Sequence, residues 1–159
     1  MRIIGYSVKI IIFIAILLMP TGVYAKAKFA YKNEMIEKAD VIAVVNITKI
    51  EPVQIKGKGW TYRQKATAKV EQSLKGKVPA EISLYGQEDF ICAQCNYESG
   101  KSLVFLKRDN DLLKGSNWQF SIRPIKDDKV EWYQSDKGLE LKAFPLSEVL
   151  EEIKSKVKH

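Results

Sequence analysis

From Ala39 to Tyr133 the chain is a succession of short apolar runs separated by Gly, Pro, Asn and Asp. The first, "VIAVVNITKI" (Val41 to Ile50), is β-branched and almost continuously apolar. Such a run predicts a strand buried on both faces. Before it, "YKNEMIEKAD" spaces Met35, Ile36 and Ala39 on one face of a short helix, with Asn33 as its N-cap. "EPVQIKGKGW" is polar, carries Pro52, Gly57 and Gly59, and reads as a hairpin loop. "YRQKATAKVEQSL" puts Ala66, Ala68 and Val70 on one face and Lys65, Thr67, Lys69 and Glu71 on the other, the period of a half-buried strand. "AEISLYG" repeats the alternation with Ile82 and Leu84 inward. "EDFICAQCNYESG" reads as a loop, "KSLVFLKRD" as a strand and "NDLLKGS" as a turn. "NWQFSIRPI" predicts one strand with Trp118, Phe120 and Ile122 on a common face. "KDDK" then turns the chain into "VEWY", a short strand with Val130 and Trp132 on one side.

The tail changes period. Leu146, Val149, Leu150, Ile153 and Val157 in "FPLSEVLEEIKSKVKH" form the stripe of an amphipathic helix over residues 146–158. Ser147 is placed to cap its start, and Lys154, Lys156 and Lys158 crowd its end, in keeping with the helix dipole. The sum is a mainly β protein. Some five to six short strands with frequent turn signals predict a small closed or partly open β-barrel, with a short N-terminal helix and a C-terminal helix over its ends.

The N-terminus sets the compartment. Arg2 and Lys9 precede the apolar run Ile10 to Met19, Pro20 and Gly22 break it, and Val23 and Ala25 suit the −3 and −1 positions of a cleavage site. Residues 1–25 therefore read as a secretory signal peptide, followed by a single domain over 26–159. A ten-residue run is too short to cross a bilayer core, which needs about 20 residues. The expected location is exported, either periplasmic or extracellular. The formal charge of +7 allows an anionic lipid, polysaccharide or acidic partner, and also serves plain solubility.

The order of segments resembles exported bacterial proteins with a TIMP-like, netrin-module-like OB fold. "KADVIAVVNITKI", "ATAKVEQSLKGKVPAEISLYG", "YESGKSLVFLKRDNDLL" and "SNWQFSI" followed by "DDKVEWY" carry the likeness, over Ala39 to Tyr133. The resemblance implies an OB-like barrel and says little of function. The animal inhibitors that carry this module use a mature N-terminal cysteine; here cleavage leaves Lys26 first and both cysteines mid-chain. No inhibitory residue carries over.

Catalytic chemistry is thin. The only histidine is the last residue, His159, which removes a rigid Ser-His or Cys-His pair. Glu88/Asp89, Asp127/Asp128 and Glu151/Glu152 are sequence neighbours whose side chains diverge, so none is a ready acid–base couple. Cys92 and Cys95 form a C-x-x-C. Asn96 follows instead of the histidine of a haem motif. A structural zinc site wants four ligands. Gly100 and the strand after it leave no room for a thioredoxin-type helix. The expected outcome is a Cys92–Cys95 disulfide, contributing only about 2 kcal/mol but shaping one loop. No cofactor and no metal are implied.

Two functions from different classes follow. The first is a non-enzymatic exported binding module. It recognises a protein or an anionic glycan or lipid through barrel-end loops, the 86–100 loop and the basic 54–63 loop, with Phe90, Tyr97, Trp60, Tyr62, Arg63 and Lys65 as the candidate surface. Nucleic acid is a poor partner for an exported protein. The alternative is a thiol–disulfide redox protein using Cys92 and Cys95.

Overall fold

The computed structural model describes residues 27–90 and 92–157. The expected signal peptide lies outside the described residues, as do Lys158 and His159. Among the described residues, two helices and eight strands follow in order: α1 (Lys32–Lys38), β1 (Val41–Lys56), β2 (Thr61–Lys75), β3 (Glu81–Glu88), β4 (Gly100–Asp109), β5 (Leu112–Gln119), β6 (Ile122–Lys126), β7 (Lys129–Tyr133), β8 (Leu141–Pro145) and α2 (Leu146–Val157). The protein is mainly β, as expected, but with eight strands where five to six were expected. No described helix is long and apolar enough to cross a membrane.

The hydrogen-bonded order is β1-β2-β3-β5-β4-β6-β7-β8, and β1 also pairs with β4. Five strands therefore pair in a closed circuit, β1–β2–β3–β5–β4 and back to β1. Every pairing in it is antiparallel except β3 with β5. The last strands, β6 to β8, form a ribbon that leaves the circuit from β4.

Side-chain alternation explains why β1 is apolar throughout. Val41, Ala43, Val45 and Ile47 join a core shared by all five circuit strands, including Ala68, Leu84, Leu106 and Leu113. Ile42 and Val44 point the other way, into a second core with Phe105, Met35 of α1, Trp132 of β7 and Ile153 of α2. β4 divides likewise, with Val104 and Leu106 in the first core and Leu103 and Phe105 in the second. Both strands are thus covered on two sides, the condition that favours an unbroken hydrophobic run over an alternating one.

Several expectations are corrected by local hydrogen bonding. Tyr31, not Asn33, occupies the N-cap of α1, and its N–H donates to the Glu34 carboxylate. Asn33 sits inside the helix and accepts from Lys156 Nζ at 2.6 Å. Ser147 also lies inside its helix; the preceding N–H, on Leu146, is satisfied by the Asp128 carbonyl at 2.8 Å. The loop over Glu51 to Trp60 shrinks to residues 57–60, because β1 stays paired with β2 as far as Lys56. "NDLLKGS" is mostly strand β5, with the reversal confined to Asn110 and Asp111. The strand expected over "NWQFSIRPI" is broken at Phe120 and Ser121, where Ser121 N–H donates to the Trp118 carbonyl at 3.0 Å. Trp118 adopts a positive φ of 51° there. Its side chain, Phe120 and Ile122 consequently go three separate ways. The "KDDK" turn stands, with Asp127 and Asp128 both left-handed, the geometry that matches strand twist in a two-residue hairpin.

Candidate functional site

The turn between β1 and β2 holds Gly57, Lys58, Gly59 and Trp60. It closes through Gly57 N–H to the Trp60 carbonyl at 2.8 Å. Asp109, at the end of β4, braces it from below. One Asp109 oxygen accepts from Lys58 N–H at 2.9 Å and the other from the Tyr62 hydroxyl at 2.7 Å. A side chain at Gly57 would not fit: its Cβ would sit 2.3 Å from the Asp109 carboxylate and 2.6 Å from the Tyr62 ring. The glycine is required by this close approach, and the approach fixes where Trp60 stands.

Trp60 is then pinned from its sides. Its ring centroid lies 5.0 Å from Phe90 and 5.9 Å from Trp118, and Phe90 stacks on Trp118 at 4.9 Å. These three half-buried rings come from the β1–β2 turn, the segment after β3 and the end of β5. Beside Trp60 lies a shallow groove, widely open to solvent, of about 480 Å³, lined by Lys58, Gly59, Trp60, Lys107, Arg108, Asp109 and Lys114. Among the described residues, none of its four cations makes a salt bridge. The Arg108 guanidinium donates to the Lys77 carbonyl at 3.3 Å, and its backbone N–H donates to the Asp40 carboxylate at 2.8 Å. Lys107 and Lys114 face each other directly across the β4/β5 ladder. Like charges opposed in this way are destabilising, so fold stability does not account for the pair.

The cysteine segment forms the floor next to this end. Gln87 N–H donates to the Cys95 carbonyl, which lays the segment along β3. Gly86 makes that possible, since its Cβ would fall 2.2 Å from the same carbonyl. Cys95 N–H donates to the Glu88 carboxylate at 2.8 Å, and Tyr97 exchanges two bonds with the Gln64 amide. Cys95 and Tyr97 thereby enter the first core.

The expected disulfide is absent. Both cysteines are free thiols, Cys92 exposed and Cys95 buried. Cys95 is held in the first core while Cys92 faces solvent. Burial, with the Glu88 charge second, drives the Cys95 thiol far above its usual range. A thiol kept protonated is a poor nucleophile. Among the described residues, no three His, Cys, Asp or Glu side chains gather as a metal site.

Of the candidate surface residues, the structure brings Trp60 and Phe90 together at the groove end. Tyr62 and Tyr97 are not surface residues at all: they are 0% and 2% exposed. Burial, helped by the bond to Asp109, raises the Tyr62 hydroxyl far above its ordinary range. Arg63 is exposed and Lys65 half-buried. Lys65 is ion-paired with Glu51 at 3.5 Å, and neither lines the groove. Lys58 lies in the basic 54–63 loop expected at the surface; the residues missed from sequence are Trp118, Lys107, Arg108 and Lys114. Their one legible signal is a cation on each side of the Asn110–Asp111 turn.

Glu88 is 1% exposed, and burial raises its carboxyl above the usual range against the pull of the Cys95 N–H. A raised folded-state value favours the protonated protein. The stabilisation is complete below the unfolded carboxylate range, about pH 4, and is lost as pH rises through the folded value. Glu88→Gln keeps an acceptor for Cys95 N–H and removes the buried charge. It is expected to melt a few degrees above the parent at pH 7 and level with it near pH 4. Calorimetry at both pH values checks this; a lower melting point at pH 7 would mean that the hydrogen bond to the charge outweighs its burial.

No protein-family model matches the chain, and no curated protein is significantly similar to it.

Proposed function

We propose that this chain is a non-enzymatic binding module that takes an anionic partner at the Trp60 end of its strand circuit. The observation carrying this reading is the convergence of Lys58, Lys107, Arg108 and Lys114, without salt bridges among the described residues, beside a Trp60 ring held rigid by Phe90 and Trp118. Four cations against the single Asp109 carboxylate leave the lining net positive, and an anion relieves the like-charge repulsion that remains. The closed order β1–β2–β3–β5–β4, with parallel β3 and β5, supports reading the circuit as an OB-like barrel of the TIMP-like, netrin-module-like kind. Ligands of OB folds meet the β1–β2 and β4–β5 loops. In this chain those loops are residues 57–60 and 110–111. The exported location remains part of the reading, and it fits a partner such as an anionic polymer outside the cytoplasm. The thiol–disulfide alternative loses support from the burial of Cys95.

The test is elution from a polyanion matrix. Lys107→Glu/Arg108→Glu should elute at markedly lower salt than Lys126→Glu/Lys129→Glu, which carries the same change in net charge on the ribbon. Equal elution of the two doubles would reduce the interaction to overall charge and overturn the site.

A further inference from the structure

We propose that the groove beside Trp60 binds an anionic oligosaccharide, with one sugar ring against the indole and its carboxylate or sulfate groups on Lys58, Lys107, Arg108 and Lys114. This rests on the binding-module reading above and goes further by naming the ligand class. Three observations favour a saccharide over other anions.

The first is the number of aromatic faces. Among the described residues, Trp60 is the only aromatic side chain lining the groove; Phe90 and Trp118 stack on each other and brace Trp60 from outside the groove lining. Single-stranded nucleic acids are held by successive bases stacking on several aromatic side chains. One indole accommodates one ring, and a pyranose has a flat C–H face whose partial positive charge suits the negative face of an indole. The second is the lack of an apolar landing surface. Among the described residues, the large apolar side chains that are substantially exposed are Tyr31 and Leu139, and neither lines the groove. A membrane-docking face would join its cations to such a patch. The third is the layout of charge. The cations come from three segments, the β1–β2 turn, β4 and β5, rather than from one continuous stretch of chain. Gly59 leaves its rim open, with no atom within 4 Å of where its Cβ would be. A branched or substituted ring that presents anionic groups in several directions fits this arrangement better than an extended acidic peptide.

The experiment is a titration of tryptophan fluorescence with a hexamer of galacturonic acid. Maltohexaose, a hexathymidylate and hexaglutamate serve as the neutral, nucleic-acid and peptide comparisons. The expected result is saturable binding of the uronate hexamer, at least tenfold tighter than any comparison probe. Trp60→Ala and Lys107→Glu/Arg108→Glu should each weaken it by tenfold or more, with melting curves recorded to show that both variants fold. If Trp60→Ala proves unfolded, Lys58→Ala/Lys114→Ala replaces it, with the same weakening expected. Equal or tighter binding of the thymidylate or the glutamate hexamer overturns the saccharide assignment. So does uronate binding that survives the loss of Trp60. In both cases, sensitivity to the Lys107/Arg108 reversal would leave the binding end intact. Binding of no probe, together with equal elution of the two charge-reversal doubles, overturns both readings.

Discussion

Trp132→Ala will lower the unfolding free energy by about 3–5 kcal/mol, the range for deleting a large buried aromatic. Trp132 is 2% exposed and joins three parts of the molecule. Its ring stacks on Phe105 of β4 at 5.5 Å and meets Tyr133 edge-on at 5.3 Å. Its indole N–H donates to Glu152 of α2 at 2.7 Å. Glu152 in turn holds Lys32 of α1 at 2.7 Å, so one side chain connects the ribbon, the circuit and both helices. Against a domain stability of about 5–15 kcal/mol, the loss is about a fifth of the total or more. Trp132→Phe keeps most of the stacking, gives up the hydrogen bond and should cost nearer 1 kcal/mol from that bond. Urea denaturation of the three proteins checks the series. A loss under 1 kcal/mol for the alanine variant would mean that the ribbon is not docked on the second core.

The two thiols will differ in alkylation rate by about a thousandfold or more. Cys92 is exposed and should react within minutes of adding a maleimide. Cys95 is 0% exposed and protonated by burial, so it reacts only through openings that free the segment from β3. An opening that costs about 4 kcal/mol already gives the thousandfold factor. Mass spectrometry should count one adduct on the native protein and two in denaturant. Two rapid adducts would show that the segment is not docked, and none before reduction would show the disulfide that the sequence suggested.

How far these features were legible depends on the kind of information each needs. β1 follows from its unbroken β-branched run, Val41 to Ile47, and α2 from the period of the Leu146 to Val157 stripe. Parity also reached Tyr62. The alternation that turns Ala66 and Ala68 inward turns Tyr62 inward as well, yet residue type pointed to a surface aromatic. Trp118 was hidden because its left-handed backbone breaks the strand without glycine or proline to signal it. The cysteine pair misled because spacing is blind to direction: Cys95 faces the core and Cys92 the solvent. The groove was out of reach for a different reason. Lys58, Lys107 and Lys114 meet only because β5 returns beside β4 and Asp109 holds the 57–60 turn against it.

Lysine acetylation footprinting with and without a sulfated polyanion tests the central claim most directly. If the Trp60 end is the binding site, Lys58, Lys107 and Lys114 lose reactivity when the polyanion is present, while Lys126, Lys129 and Lys142 on the ribbon keep theirs. Protection centred on the ribbon lysines, with the groove lysines unchanged, would contradict the account.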